Sequence, residues 1–379
     1  MIAYLDNAAT TPVSPEAAQA ACNAMTTDFG NPSTQYPLGK AAKKALDGHR
    51  KAVADALGCK PAEVVFTSCG TESDNWALRL GAQKNRRKGR HIITTAFEHS
   101  AILQTCHEME AEGWEVTYLM PNRQGQISLD DLKAALRPNT VLVSMMLVNN
   151  ELGCVLPVKE AAALVKAYDK QILFHTDAVQ GFLKVPFTPA GLGVDLLSLS
   201  GHKIHAPKGI GALFVRDSQR QTLHPPYVGG HQERGMRPGT ENTPYIVGLG
   251  LAAAKGAQRL RTKDDHLHAL NRQLRTGLAE LPGITLNSPD DAVDEVVNFS
   301  TGCINSQTFI NYLNGRLVFV SGGSACDKGE PSHTLQAMGC DDLTIRTALR
   351  VSFCADNTPE DVDALLDGLR AGLRELQHI

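Results

Sequence analysis

The sequence predicts a doubly wound α/β fold, and two observations carry that prediction. Seven short apolar runs of strand character lie at 64–67, 91–95, 115–119, 141–147, 172–176, 194–199 and 211–215. Helical patterns running through Arg79, Leu103, Leu132 and Leu164 alternate with them, as in a mostly parallel sheet covered by helices on both faces. The first run, Val64-Val65-Phe66-Thr67, is β-branched and aromatic, suited to a buried strand. Ser68-Cys69-Gly70-Thr71 then reads as a turn and 72–85 as a helix, with Gly70 and Thr71 at its positive start. Further on, 252–281 reads as one long amphipathic helix. Sheet order is not legible at this level. With 379 residues, the chain can support two domains around a large core.

Composition excludes several classes of function. The 37 Lys and Arg residues nearly balance the 40 Asp and Glu residues, which argues against an electrostatic nucleic-acid binder. The basic run Arg86-Arg87-Lys88-Gly89-Arg90 reads as a solvated helix end, its cations opposite the negative end of the helix dipole. No apolar run approaches membrane-spanning length, and the start Met1-Ile2-Ala3-Tyr4 lacks a basic region followed by an apolar one, so a cytoplasmic protein is expected. Nine cysteines without a close Cys-x-x-Cys pair fit neither a disulfide framework nor a zinc site, and no metal is expected. Most read as small core residues; Cys69 and Cys154 stand out beside functional-looking segments.

Lys203 closes Ser200-Gly201-His202-Lys203, between an apolar run and the glycine-rich Lys208-Gly209-Ile210-Gly211. A lysine so placed, with Asp177 and Gln180 upstream, suggests a Schiff-base lysine holding pyridoxal 5'-phosphate. The aldehyde needs an amine that can lose its proton in a partly desolvated site. The pyridine nitrogen needs a carboxylate to keep it protonated as an electron sink, and Asp177 follows a buried strand at the end where open α/β sheets bind ligands. Gln180 could donate to the ring oxygen. Phosphate needs backbone amides at a helix start, supplied by Gly70 and Thr71, with Ser200 and His202 adding side-chain donors. Each feature alone has an ordinary structural reading, but together they occur in the order one cofactor requires.

With these residues in view, the chain resembles the cysteine desulfurases of the nitrogen-fixation and iron-sulfur-cluster type, within the class V aminotransferase group of fold-type I pyridoxal-phosphate enzymes. The likeness runs almost end to end. It includes Tyr4-Leu5-Asp6-Asn7-Ala8-Ala9-Thr10-Thr11-Pro12, Phe29-Gly30-Asn31-Pro32-Ser33, Phe66-Thr67-Ser68-Cys69-Gly70-Thr71-Glu72-Ser73, Glu98-His99 and Val148-Asn149-Asn150-Glu151. It continues through His175-Thr176-Asp177-Ala178-Val179-Gln180, Gly229-Gly230-His231-Gln232-Glu233-Arg234, Arg237-Pro238-Gly239-Thr240-Glu241-Asn242 and Ser324-Ala325-Cys326. The resemblance implies a mostly parallel seven-stranded large domain over 13–260. It also implies a smaller α+β domain from 1–12 and 261–379, carrying the catalytic-cysteine loop.

Residue by residue, the resemblance implies that His99 stacks on the pyridine ring and moves protons, and that Asn150 and Arg350 bind the substrate carboxylate. A planar guanidinium suits that bidentate task. Thr240 would reach the phosphate of the other subunit in a homodimer. Cys326 separates a desulfurase from an aminotransferase: its segment is small and polar, and such a loop thiol can reach a substrate and then deliver sulfur. The implied reaction converts L-cysteine to L-alanine, leaving a persulfide on Cys326 for a sulfur-acceptor protein. The stretch after Cys326 reaches Pro331 sooner than is usual in the family, Asp327 sets a negative charge beside the thiol, and Pro238 stands where Ser is commoner. A selenocysteine lyase or another class V lyase would keep Lys203 and Asp177 without needing Cys326, and a sulfur-carrier docking protein with weak catalysis is the reading from another class.

Overall fold

The computed structural model describes residues 2–220, 222–223, 225, 227–262, 265–323 and 331–379. Its strands, in chain order, are β1 (Ala3–Tyr4), β2 (Val64–Thr67), β3 (His91–Thr95), β4 (Glu115–Leu119), β5 (Thr140–Ser144), β6 (Leu173–Asp177), β7 (Leu196–Ser200), β8 (Gly211–Val215), β9 (Thr285–Leu286), β10 (Val296–Ser300), β11 (Val318–Phe319) and β12 (Ala348–Ser352). β2 to β8 form one seven-stranded sheet in the order β2-β8-β7-β6-β5-β3-β4. β8 runs against both neighbours and the other adjacent pairs are parallel. The mostly parallel sheet expected from the sequence is thus present, and each of the seven expected runs contributes a strand.

Every residue of β2, β3, β5, β6, β7 and β8 is buried, and these runs are accordingly mostly apolar or β-branched. The helices Gly70–Lys84, Ser100–Ala111, Leu129–Ala135 and Val158–Tyr168 follow β2, β3, β4 and β5 as predicted. The basic run follows the end of the first of these, where Lys88 pairs with Asp169 at 2.6 Å. Among the described residues, no helix is long and apolar enough to cross a membrane.

The single helix expected over 252–281 is two helices, Thr243–Thr262 and His266–Ala279. Their apolar stripes belong to different cores. Ile246, Leu249, Ala252 and Ala253 join the core of the large sheet. Leu270, Leu274 and Leu278 instead pack with Val297, Phe299, Leu349, Val351, Leu365 and Leu369 in a second core. That core lies on the antiparallel sheet β12-β10-β9 and includes Ala3 and Leu5 from the chain's start. β1 pairs with β11, and Asp6 bridges to Ser352 at the end of β12, so the N-terminal strand leads residues 6–9 toward the large sheet.

Candidate active site

β2, β3, β5, β6 and β7 point the same way, so the segments that follow them meet along one edge of the sheet, where open α/β folds bind ligands. Gly70, Thr71, His99, Asn150, Asp177, Gln180, Ser200, His202, Lys203 and Arg350 all line one cleft there, of about 170 Å³. Ten of the predicted site residues are therefore brought together from positions spread over 280 residues of sequence (350 − 70). Thr240 does not reach this cleft; it is exposed, on a segment shared with Tyr227 and Val228. Cys326 lies outside the described residues. A larger cavity of about 600 Å³ lies on another side of Lys203, but its lining lacks Asp177, His99 and the helix start, so the chemistry belongs to the smaller cleft.

At one end of the cleft, Cys69 caps the helix Gly70–Lys84. The first backbone N–H groups of a helix have no partner within it and carry its positive pole. A Cβ on Gly70 would come within 2.8 Å of Val179 Cγ2 and 3.5 Å of Ser200 Cβ, so a side chain there must displace either the turn or Val179. Thr67 Oγ1 lies 2.8 Å from Ser73 Oγ, and Glu72 accepts from Ser68 N at 2.6 Å, holding the turn from within.

Lys203 follows β7 in a short 3-10 turn, and its Nζ donates to the carbonyls of Ala8 and Ala9 at 2.5 and 2.7 Å. Asp177 ends β6; its Oδ1 accepts from Val179 N at 2.8 Å. Burial pushes its carboxyl up to about 6, opposed by that N–H and by the charge of Lys203. Gln180 donates through Nε2 to Ala8 O at 3.0 Å and accepts at Oε1 from Lys184 at 2.6 Å. An ammonium only donates, so Lys184 fixes the Gln180 carbonyl toward itself and the NH₂ toward the cleft.

His99 caps the helix Ser100–Ala111, its Nδ1 accepting from Ala101 N at 3.1 Å, which places the proton of the neutral ring on Nε2. Burial, with the charges of Lys203 and then His333, pushes its pKa down to about 4. The ring is thus neutral near pH 7. His202 is pushed down to about 4 by burial and the same lysine, and its Nδ1 meets Thr10 Oγ1 at 3.2 Å. Arg350, 1% exposed, donates to Asn150 O at 3.0 Å and to Asp6 Oδ1 at 2.8 Å. Its Nε and the Asn150 Oδ1 have no hydrogen-bond partner among the described residues, leaving one donor and one acceptor at the cleft.

Sequence reasoning assigned no role to four residues that shape the site. Asp6 orients Arg350. Asp74 is fully buried on the helix behind Asp177, and burial plus the Asp177 charge push its carboxyl well above the usual range. Glu98 accepts from Thr95 Oγ1 and Met146 N at 2.9 and 2.7 Å, and burial pushes it up to about 8. Glu151 accepts from Ser332 and Thr334 at 2.6 and 2.9 Å, tying the Asn150 segment to residues that follow Cys326. Asp6, Glu98 and Glu151 all sit inside motifs noted above, so the acids in those motifs to which no role was given were the available signal. Cys154 is a buried thiol pushed up to about 12, a core residue, whereas half-buried Cys69 lines the cleft.

The residues present fit pyridoxal phosphate. The open turn at Gly70 suits a phosphate, Asp177 a ring N–H, and Lys203 an aldehyde.

The comparisons agree with this geometry. A model of the class-V aminotransferase family matches residues 3–365. The chain is 43% identical to the cysteine desulfurase IscS of Methanosarcina thermophila, covering 99% of this chain and 93% of that protein. It is 42% identical to a cysteine desulfurase of Trichormus azollae, over 97% and 91% of the two chains. A solved NifS-like protein superposes with a TM-score of 0.94 at 36% identity, over 99% of this chain and 100% of that one. The chain belongs to the class-V aminotransferase family, among its cysteine desulfurases.

Proposed function

We propose that this protein is a pyridoxal-phosphate-dependent cysteine desulfurase that works as a homodimer and passes sulfur from L-cysteine through Cys326 to an acceptor protein. The observation that carries this reading is the convergence of Lys203, Asp177, His99 and Arg350 on one cleft at the sheet edge. When bound, the cofactor supplies the electron sink for breaking bonds at the substrate's α and β carbons. Asp177 would hold the ring nitrogen's proton. Gly70, Thr71, Ser200 and His202 would bind the phosphate, and Gln180 would donate from its NH₂ to the ring oxygen. Arg350, steadied by Asp6, would take the substrate carboxylate with Asn150. Lys203 would hold the cofactor at rest and then move a proton, assisted by neutral His99 through Nε2–H.

The Cys326 thiolate would attack the substrate sulfur. An S–S bond forms as the C–S bond breaks, the electron pair stays with the substrate carbon, and that carbon takes a proton to become alanine. Neither step needs an outside oxidant. The step needs Cys326 as a free thiol, which a reducing compartment maintains, so we place the protein in the cytoplasm. The exposure of Thr240 on a segment with Val228, 99% exposed, supports a second copy of the chain as the other half of the site.

The thiol step is tested by Cys326→Ala. This variant should keep the cofactor's absorbance and bind L-cysteine, yet lose persulfide formation and nearly all alanine production. L-selenocysteine should retain a substantial fraction of its turnover, because selenium leaves more readily. Alanine release from L-cysteine near the unmodified rate would place the nucleophile elsewhere.

A further inference from the structure

The segment bearing Thr240 is anchored by an ion pair buried against an outer strand of the large sheet. Arg50, on the helix Pro37–Leu57, and Glu233 have side chains only 4% and 3% exposed. Arg50 Nη1 and Nη2 donate to the two carboxylate oxygens at 2.7 and 2.6 Å. Nη1 also donates to Val64 O at 2.8 Å, and the guanidinium lies 4.6 Å over the Phe66 ring. Glu233 Oε2 accepts from Phe66 N at 2.9 Å. β2 is an end strand of its sheet, so the pair serves Val64 and Phe66 where a further strand would otherwise do so.

Two more observations point beyond packing. Glu233 and Arg234 hold left-handed backbone angles, φ 48° and 57°, before Gly235 at φ 80°. Side-chain-bearing residues stay in that region only where their surroundings fix them. A buried ion pair is also a weak source of net stability, since desolvation offsets most of its attraction. Both features suit a part retained for geometry.

The pair reaches two places. Through β2 it meets the strand that delivers Ser68 and Gly70 to the phosphate turn. Farther along the same segment, Arg237 donates to Glu72 at 3.2 Å, and Glu72 accepts from Ser68 N. Toward Thr240, Gly239 N donates to Gln232 Oε1 at 3.1 Å. We propose that the Arg50–Glu233 pair is a positioning device shared by two sites: it sets the phosphate turn of its own chain and the Thr240 segment that completes the other subunit's site. The second half rests on the homodimeric reading given above.

The double variant Arg50→Met, Glu233→Leu removes both charges and keeps apolar volume, so it folds where a single change would strand a buried charge. Cofactor-free protein is titrated with pyridoxal phosphate and with pyridoxal, which lacks the phosphate, and melting is recorded for both. The expected result is a single cooperative melt at a temperature lowered by the lost partners of Val64 O and Phe66 N, with pyridoxal phosphate bound about tenfold or more weakly, as for the loss of well-aimed charge-assisted hydrogen bonds, and pyridoxal unchanged. Equal weakening of both compounds, or of neither, overturns the proposal. Glu233→Asp with Arg50 intact should restore part of the phosphate preference. A mixed dimer of one double-variant and one unmodified subunit then separates the two halves. Two weakened sites support sharing, whereas one weak and one normal site refutes it. If Thr240→Val dimers bind pyridoxal phosphate normally, the shared-site reading itself has failed, and the effect of the pair on its own turn is still read from the double-variant titration.

Discussion

His175 stands two residues before Asp177 on β6, with no exposed surface, its Nδ1 2.9 Å from Ser144 Oγ and its Nε2 3.0 Å from Ser198 Oγ. Burial pushes its pKa down to about 3. In the unfolded chain a histidine titrates near 6.5. Between these values the unfolded chain binds a proton that the folded one refuses, so the contribution is full above pH 6.5 and is lost as pH falls toward 3. His175→Gln keeps amide groups for both serines but does not titrate. The stability difference between unmodified protein and variant should therefore shrink by about 2 kcal/mol from pH 6.5 to pH 5, measured by urea unfolding of cofactor-free protein. Identical pH slopes would mean that the ring is not held neutral. Arg350 offers a second test at this scale. Asp6→Asn removes the carboxylate that orients its guanidinium, so KM for L-cysteine should rise by about tenfold while the cofactor's absorbance stays unchanged. An unaltered KM would separate Arg350 from substrate binding. Single residues were legible where chemistry demands a rare type at a strand end, as at Lys203 and Asp177. Asp6 and Asp74 were not, because their roles come from partners that lie 344 and 103 positions away in the chain (350 − 6 and 177 − 74).

At the scale of elements, the turn proposed for the phosphate joins strand and helix in one task. β2 ends in Thr67, the turn crosses Cys69, and the helix starts at Gly70 with its N–H groups toward the cleft. Gly70→Ala places a methyl 2.8 Å from Val179 Cγ2, and one of the two must shift. Pyridoxal phosphate should then bind about tenfold more weakly, through misdirected amides, while pyridoxal binds as before in the same absorbance titration. Equal binding of pyridoxal phosphate to variant and unmodified protein would remove the turn from the phosphate site. Local pattern served well for this element and for the four alternating helices, because each packs on strands of the large sheet alone. It failed over 252–281. There the apolar spacing continues across a change of partner, from the large-sheet core at Ala253 to the second core at Leu270, and periodicity carries no mark of which core a stripe meets.

For the whole molecule, sheet order and the meeting of the two cores were beyond the sequence, since strand pairing is settled by contacts between segments far apart in the chain. What the fold adds is a division of labour. Residues 6–9 and Arg350 approach the cleft from the second core's side, and β2, β3, β5, β6 and β7 approach it from the large sheet. Thr240 is exposed and lies outside the cleft. If it serves the other subunit, two disabled chains can restore one site between them. A mixed dimer pairs a Lys203→Ala subunit with a Thr240→Val subunit, purified through two different tags. With shared sites, one cleft combines both defects and the other combines an intact Lys203 with an intact Thr240. The mixed dimer should then give about half the unmodified alanine production per dimer, although each parent homodimer is severely impaired. With independent sites, the Lys203→Ala cleft is dead and the other carries the Thr240→Val defect alone. Activity then cannot exceed half that of the Thr240→Val homodimer. The two outcomes differ by the full size of the Thr240 effect, so measuring both homodimers beside the mixed dimer decides whether each cleft is built by one chain or by two.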